Sequence, residues 1–171
     1  PVGELFEGAV RPGHFDGMLT VVNRLFEIVK PDVAIFGAKD AQQVHLVKQM
    51  AAARHPRLKI IEAPTIREFD GLAMSSRNRY LNPNERALAA QISRALTRAQ
   101  EVAHARGTTA QAAKQAEAVI AEKPAIRLDY LALIDPNTFK EVPATFKGQC
   151  LAIIAARIGE TRLIDNLRIA F

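Results

Sequence analysis

The sequence predicts an α/β protein in two parts: the tail of an α/β domain over residues 1–64, and a small α+β domain over residues 65–171. Strand-like and helix-like stretches alternate before Pro64, which is the order of a parallel βαβ unit. After Pro64, alanine-rich helical stretches are followed by three strand-like runs. The second domain should therefore contain a three-stranded antiparallel sheet.

The first domain opens with apolar residues at helical spacing over residues 15–30, and their broad apolar face predicts a well-buried helix. Residues 33–36, Val-Ala-Ile-Phe, form a short apolar run that predicts a buried parallel strand. Asp40 is a suitable cap for a helix that runs to about residue 54. A second apolar run at residues 58–61 predicts the next strand.

The second domain carries clear helix-start signals. The run Asn82-Pro83-Asn84-Glu85 combines an Asn cap, a proline at the first helical position and a glutamate that can reach back to the cap. It predicts a helix to about residue 106, and Thr108 or Thr109 caps a second helix to about residue 122. Strands are predicted over residues 127–134, 150–157 and 161–169. The last two strands should form a hairpin across Gly159-Glu160.

Composition narrows the classes of function. The single cysteine, Cys150, and the ordinary content of 49% hydrophobic and 24% charged residues predict a soluble protein of a reducing compartment, the cytoplasm. The formal net charge of +5 favours anionic partners such as phosphates or carboxylates. Neither a nucleic acid nor a membrane is expected as a partner, because aromatic residues are 6% of the chain, Lys and Arg are scattered, and no apolar run reaches the length of a membrane span.

The first candidate site is the stretch FGAKDAQQ, residues 36–43, where a strand should end and a helix begin. The carboxyl ends of such strands bind ligands, and a helix start suits phosphate. Gly37 allows close backbone approach, Lys39 supplies a cation and Asp40 can accept a ribose hydroxyl. Gln43 lies about one turn beyond Lys39, so both can face one cleft. The alternative is an ordinary turn in which Asp40 caps the helix and Lys39 lies in solvent.

The second candidate site is the stretch DGLAMSSRNRYL, residues 70–81, which has neither strand nor helix periodicity. Ser75, Ser76 and Arg77 are good donors to a polyphosphate, and a loop can close over a nucleotide. The alternative is that the serines and Asn78 serve local turns and that the arginines are surface charges.

A third stretch, RPGHFDGMLTVV at residues 11–22, completes a pattern. In combination the chain resembles the pantoate–β-alanine ligase family, the pantothenate synthetases. That family carries RPGHFDGVLTVV, FGEKDxQQ, PTVRExDGLAMSSRN.YL and DYLEL…RL.DN. The matches follow in the same order over residues 11–22, 36–43, 64–81, 129–131 and 162–166.

The resemblance implies a reaction of the coenzyme A pathway. Pantoate would attack ATP to give pantoyl adenylate and pyrophosphate, and β-alanine would then attack the acyl carbon to give pantothenate and AMP. Mg²⁺ would accompany the ATP, and the protein would be a homodimer. Residues 1–64 would be the C-terminal part of a Rossmann-like nucleotidyltransferase domain, and residues 65–171 a small lid domain.

The resemblance also implies the site residues. ATP would be bound by Gly37, Ala38, Lys39, Asp40, Ile66, Met74, Ser75, Ser76 and Arg77. The catalytic groups among these would be Lys39, Ser75, Ser76 and Arg77. Pantoate would be bound by Gln43 and walled by Phe36, Met18, Val21, Val22 and Leu25. Arg11 and His14 would lie near the site, with a helix-entry role beside Asp16 as the alternative for His14. No cluster has metal-ligand spacing.

Two departures from the family pattern affect the expected activity. Ala38 replaces the usual glutamate, and the family's H-x-G-H motif has no counterpart, since the similar run at residues 11–14 begins with arginine. We therefore expect a C-terminal portion that lacks the N-terminal half, binds ATP weakly and makes no pantothenate alone. The alternative is a non-catalytic remnant or assembly domain that binds nucleotide weakly.

Overall fold

The computed structural model describes residues 2–171, and the chain divides into two units, the first ending at Pro64 and the second spanning Thr65–Phe171. The first unit contains a parallel sheet and the second an antiparallel one, so the mixed α/β class predicted from the sequence is confirmed. Among the described residues, no helix has both the length and the apolar character needed to cross a membrane.

The first unit begins with short helical turns and continues as a helix, a strand, a helix and a strand. Its elements are a 3-10 turn at Val2–Glu4, α1 (Glu7–Val10), α2 (His14–Val29), β1 (Val33–Gly37), a 3-10 turn at Ala38–Asp40, α3 (Ala41–Arg54) and β2 (Lys59–Ala63). The two strands pair in parallel, with Val33 opposite Lys59 and Gly37 opposite Ala63. The predicted βαβ unit is thus confirmed.

Helix α3 supplies most of the buried side chains of this unit. Val44, Val47 and Ala51 are at most 2% exposed, and they recur at the three- and four-residue spacing of one helix face. The helix therefore presents a continuous apolar stripe to the core, as its sequence indicates.

The prediction of a well-buried α2 was wrong. Only Phe15 and Phe26 are buried in this helix, whereas Leu25 is 52% and Ile28 64% exposed. Apolar periodicity identifies the face that can be buried, but it does not supply a partner to cover it.

Strand β1 is likewise half open. The prediction of a buried strand was wrong for the face that carries Val33 and Ile35, which are 44% and 68% exposed. The alternate residues Ala34 and Phe36 are partly buried, and the Phe36 ring meets Phe26 edge-on at 6.3 Å. One face of the parallel sheet is therefore packed and the other is solvated.

The second unit places two helices against a three-stranded sheet. Its elements are a 3-10 helix at Ser76–Tyr80, α4 (Pro83–His104), α5 (Thr109–Ala121), β3 (Ile126–Ile134), β4 (Gln149–Ile158) and β5 (Thr161–Ala170). The strand order is β3-β4-β5, antiparallel throughout. The hairpin predicted across Gly159-Glu160 is present, with Ile158 opposite Thr161.

Helix starts and the core of this unit follow the sequence closely. Asn82 caps α4 in a reciprocal capping box with Glu85, and Thr108 rather than Thr109 caps α5. Ile92 on α4 and Ile154 on β4 are fully buried in the shared core. Cys150 lies in the same core, where burial raises its pKa to about 11, so its thiol stays protonated near neutral pH.

Candidate active site

The first predicted site lies where β1 ends. Gly37 is the last residue of the strand and has an extended backbone with φ −70° and ψ 131°, which any residue adopts. A Cβ built at Gly37 would meet no described atom within 4 Å. Neither conformation nor packing within the described residues requires glycine here, so the position has room for a group that approaches the backbone closely.

The turn after Gly37 differs from the predicted cap. Ala38–Asp40 forms one 3-10 turn before α3 begins at Ala41. Asp40 occupies the cap position, but its side chain makes no capping hydrogen bond and is exposed. The prediction that Asp40 caps the helix was therefore wrong. The first N–H groups of α3 therefore receive no hydrogen bond from the Asp40 carboxylate.

Lys39 and Gln43 do not lie on one helix. Lys39 belongs to the 3-10 turn and Gln43 to the first turn of α3, so the spacing argument that placed both on one helical face does not describe them. Both side chains are partly buried. They remain neighbours along the chain at the carboxyl end of β1, the edge at which α/β proteins bind ligands.

The neighbouring amide, Gln42, has a structural role that the sequence reasoning missed. It is 5% exposed, and its Nε2 donates to the carbonyls of Val2 at 2.7 Å and Leu5 at 2.8 Å. Its Oε1 accepts from the backbone N–H of Glu7 at 3.1 Å. Gln42 thus ties the first turns of the chain to α3. The only available signal was helix phase, since Gln42 lies four residues before buried Leu46.

The start of α2 brings Arg11 and His14 together. Gly13 precedes the helix with φ 75°, a left-handed conformation that favours glycine. Arg11 Nη1 lies 3.0 Å from His14 Nε2. Because a guanidinium can only donate, Nε2 accepts and the His14 proton is on Nδ1. The ring also lies 5.1 Å from that of Phe15, and His14 is the first residue of α2, as the helix-entry alternative expects.

The residues expected to wall pantoate share the open side of α2 and the inner side of β1. Val21 is 60% and Leu25 52% exposed, whereas Met18, Val22 and Phe36 are partly buried. The helix thus keeps available an apolar surface of the kind that a small branched aliphatic group needs.

The second predicted site, on the second unit, is a tight turn rather than an extended loop. Ser75 caps the 3-10 helix Ser76–Tyr80, and its Oγ accepts from the N–H of Arg77 at 3.2 Å. Asn78 Nδ2 donates to the carbonyl of Ala73 at 3.2 Å. Ser75 and Asn78 therefore stabilise the local turn, as predicted by the alternative interpretation of this stretch.

The tip of that turn is solvent-facing. Met74 is 52% exposed, and Ser76 and Arg77 are exposed as well. Arg79 is not available in the same way, since its guanidinium stacks on the Tyr80 ring at 4.9 Å and donates to the Tyr80 hydroxyl. The turn thus presents one hydroxyl and one guanidinium beside an apolar side chain.

The base of the turn is held by Arg67. Its guanidinium makes two hydrogen bonds to the Asp165 carboxylate on β5, at 2.6 and 3.0 Å. It also donates to the carbonyls of Gly71 at 2.9 Å and Asn166 at 3.1 Å. Ile66 O accepts from the N–H of Met74 at 2.9 Å, so the Ile66 carbonyl makes one hydrogen bond within the turn.

A second anchor ties the turn to α4. Asp70 accepts two hydrogen bonds from Arg86, at 2.5 and 3.0 Å. The Arg86 guanidinium holds the pKa of the Asp70 carboxyl below its usual value, and partial burial opposes this shift. With Arg67 and Asp70 both engaged, the stem is rigid while Ser76 and Arg77 stay accessible.

Metal ligands are not clustered in the described part of the chain. Among residues 2–171 no group of three or more His, Cys, Asp or Glu side chains is arranged to hold a metal ion.

A parallel strand that ends at an open glycine shortly before a helix start is typical of α/β proteins that bind anionic small molecules. The chain belongs to the pantoate-beta-alanine ligase family, whose family model matches residues 1–168. The family assignment expected from the sequence motifs is thus confirmed.

Individual relatives agree with this assignment. A pantothenate synthetase of Leifsonia xyli subsp. xyli is 55% identical over 168 residues, which are 98% of this chain and 58% of the relative. The crystal structure of a pantothenate synthetase from Thermus thermophilus matches with a TM-score of 0.94 at 44% identity, covering 98% of this chain and 60% of that one. This chain therefore spans somewhat more than half the length of these proteins.

A third relative has been solved with ligands. The pantoate-beta-alanine ligase from Francisella tularensis, complexed with beta-gamma ATP and beta-alanine, matches with a TM-score of 0.71 at 31% identity. The match covers 97% of this chain and 54% of that one.

Proposed function

We propose that these residues form part of a pantothenate synthetase, which condenses pantoate with β-alanine at the expense of ATP through a pantoyl-adenylate intermediate. The observation that carries the proposal is the turn at Ser76 and Arg77, whose stem is fixed by two bidentate ion pairs while its tip is exposed. Donors on an ordered backbone at an accessible tip suit a polyphosphate, because the cost of ordering the backbone does not have to be met on binding. The ligands of the Francisella relative support ATP and β-alanine as substrates.

The carboxyl end of β1 is the proposed nucleotide-binding site. Gly37 leaves room for a close approach, Lys39 supplies a cation, and the uncapped start of α3 offers N–H groups to a phosphate. Asp40, whose carboxylate is not used as a cap, is proposed to accept a ribose hydroxyl. Ala38 contributes its backbone only.

The acyl substrate is proposed to lie beside α2. Gln43 offers an amide to the pantoate carboxylate or hydroxyls. The exposed Val21 and Leu25, with partly buried Met18 and Val22, suit its gem-dimethyl carbon. Arg11 and His14, already hydrogen-bonded to each other, are proposed to lie near this group.

The chemistry asks for positioning and charge stabilisation rather than a protein nucleophile. Lys39, Ser76 and Arg77 would stabilise negative charge that develops on the transferred phosphorus, and Ser75, already oriented by Arg77 N–H, would donate its hydroxyl proton. Mg²⁺ is proposed to arrive on the phosphates of ATP, since such sites commonly combine substrate phosphates with one or two carboxylates and water. The first unit is proposed to be the C-terminal part of a Rossmann-like domain and the second unit a lid domain, the kind of element that excludes water from such a reaction.

We further propose a cytoplasmic protein that self-associates, and that these 171 residues on their own bind ATP weakly without turnover. Support for self-association comes from the exposed Leu25 and Ile28 on α2 and Ile35 on β1. Support for the missing turnover comes from the shares of 58% and 60% that the chain spans of its Leifsonia and Thermus relatives.

The test compares two polypeptides in a coupled assay with ATP, Mg²⁺, pantoate and β-alanine. One is the 171-residue chain alone, and the other joins it to the part of the Leifsonia relative that it does not span. We expect AMP and pantothenate from the chimera and weak ATP binding without turnover from the chain alone. Enzyme-like turnover by the chain alone would contradict the assignment of its role, and a folded but inactive chimera would contradict the proposed reaction.

A further inference from the structure

We propose that the second unit carries an anion site, separate from the turn at Ser76 and Arg77, in which Arg127 and Arg157 together bind a phosphate group. The ligand class is a small phosphate anion, either inorganic phosphate or pyrophosphate. The site lies on the three-stranded sheet, near the end where β4 turns into β5.

The first observation is a row of like charges. Arg127 on β3 is directly opposite Arg157 on β4, and Arg157 is directly opposite Arg162 on β5. Directly opposed residues of paired strands project from the same face of the sheet. Because like charges in that position destabilise a sheet, three guanidiniums in one row need negative charge beside them.

The second observation is that the neighbouring carboxylate, Asp129, lies at unequal distances from the three arginines. Asp129 Oδ2 lies 2.6 Å from Arg162 Nε, a short charged hydrogen bond. The same oxygen is 3.6 Å from Arg157 Nε, and Oδ1 is 4.0 Å from Arg127 Nε. Neither of these longer distances is a hydrogen bond. Asp129 is committed to Arg162, so Arg127 and Arg157 remain undercompensated by it.

The third observation is the gradation of exposure. The side chains of Asp129 and Arg162 are 15% and 14% exposed, whereas Arg157 is 35% and Arg127 74% exposed. Asp129 and Arg162 are thus largely shielded from solvent, whereas the side chains of Arg157 and Arg127 are accessible to it. The buried Nε of Arg157 has no hydrogen-bond partner among the described atoms, so Asp129 leaves this donor unused.

The strand geometry suits a small bridging anion. The register of β3 shifts between Leu128 and Tyr130, and such a bulge turns a side chain out of its regular direction. Neighbouring strands lie about 4.8 Å apart, so oxygens of one phosphate can meet guanidiniums from both. The planar guanidinium fork matches phosphate oxygens in pairs. An acidic partner protein would instead require arginines that are all well exposed, and among these three only Arg127 is.

The experiment uses the full chain and three variants of equal charge change: Arg157→Gln, Arg127→Gln and, as a matched control, Arg94→Gln on the exposed face of α4. Inorganic phosphate and pyrophosphate are titrated separately by calorimetry, and the arginine Nε–H signals are followed by NMR. We expect Arg157→Gln and Arg127→Gln to weaken binding about tenfold, the loss of one charged hydrogen bond. Arg94→Gln should leave the affinity within about twofold, since a distant charge is screened.

A purely structural role for the row predicts a different outcome, which thermal unfolding separates. If the site binds anions, Arg127→Gln relieves repulsion, so Tm without phosphate should stay equal or rise, and the Tm increase on adding phosphate should be lost. A fall of Tm without phosphate, together with an unchanged phosphate response, would overturn the proposal. Equal loss of affinity in Arg94→Gln would overturn it too. The variant Arg77→Gln distinguishes this site from the proposed ATP site, because it should leave the Arg157 Nε–H response to phosphate intact.

Discussion

Replacing Arg67 by methionine should destabilise the second unit more than any other single ion-pair change in it. The substitution removes four hydrogen bonds: two to Asp165 and two to backbone carbonyls. The Asp165 side chain is 1% exposed, so its carboxylate would remain buried beside an apolar side chain. Removing one partner of a buried pair costs about 3–5 kcal/mol.

The lower end of that range applies to Arg67. Its own side chain is 27% exposed, so water can reach part of the vacated space and solvate the carboxylate. We therefore expect a loss of about 3 kcal/mol in the free energy of unfolding. For a urea dependence of about 1.5 kcal/mol per molar, the unfolding midpoint should fall by about 2 M.

The assay can report on the second unit alone. The chain has two tyrosines and no tryptophan, and both Tyr80 and Tyr130 lie in the unit Thr65–Phe171. Tyrosine fluorescence during urea unfolding therefore follows this unit without a contribution from the first. The control is Arg86→Met, whose partner Asp70 is 24% exposed and which should cost only about 1 kcal/mol.

A double variant tests the cause. Arg67→Met with Asp165→Leu removes the buried charge together with its partner, so it should be more stable than Arg67→Met alone. This should hold even though Asp165 also accepts from the N–H of Asn166 at 2.7 Å. A single-variant cost below about 1 kcal/mol, or a double variant no better than the single one, would refute the reasoning.

Three further predictions concern the proposed site and the effect of pH. In the Leifsonia chimera, Lys39→Ala should slow ATP-dependent pyrophosphate release by about 10²–10³-fold, as expected for one preorganised donor, whereas Lys48→Ala should change it little; a loss below tenfold in the first would reject its role. Gln43→Ala should raise the KM of pantoate more than that of ATP, and the opposite order would place another ligand on this residue. Asp70 has its pKa below the ordinary value because Arg86 hydrogen-bonds to it, so its stabilising contribution is present above that value and is lost as pH falls through the lowered pKa. The stability difference between the native chain and Arg86→Gln should therefore shrink between about pH 5 and pH 2, and a constant difference over this range would contradict the assignment.

Most of the fold could be predicted from local sequence signals. The capping box at Asn82 and Glu85 and the hairpin at Gly159 involve residues within a few positions of each other, so composition and spacing determine them. The cover of a helix is a different matter: α2 has the apolar pattern of a buried helix, yet Leu25 and Ile28 face solvent. A pattern specifies which face is apolar, and only the three-dimensional arrangement specifies what lies against it.

The candidate site shows the same division. Residue types and turn positions pointed to Lys39 and Arg77, but the sequence did not reveal how the second turn is held, because Arg67 and Asp165 lie 98 positions apart. Two adjacent amides were also indistinguishable by type. Helix phase buries Gln42 and leaves Gln43 partly accessible, so one serves structure and the other stays a candidate for binding.

The two anchors and the capping box also fix the length of the segment between them. Arg67 and Asp70 attach its beginning to β5 and α4, and only Leu81 lies between the end of the 3-10 helix at Tyr80 and the cap at Asn82. An inserted or deleted residue within positions 71–81 cannot be absorbed by slack, since both ends are tied to rigid elements. Evolution can therefore exchange side chains on this stretch more readily than it can alter the number of residues.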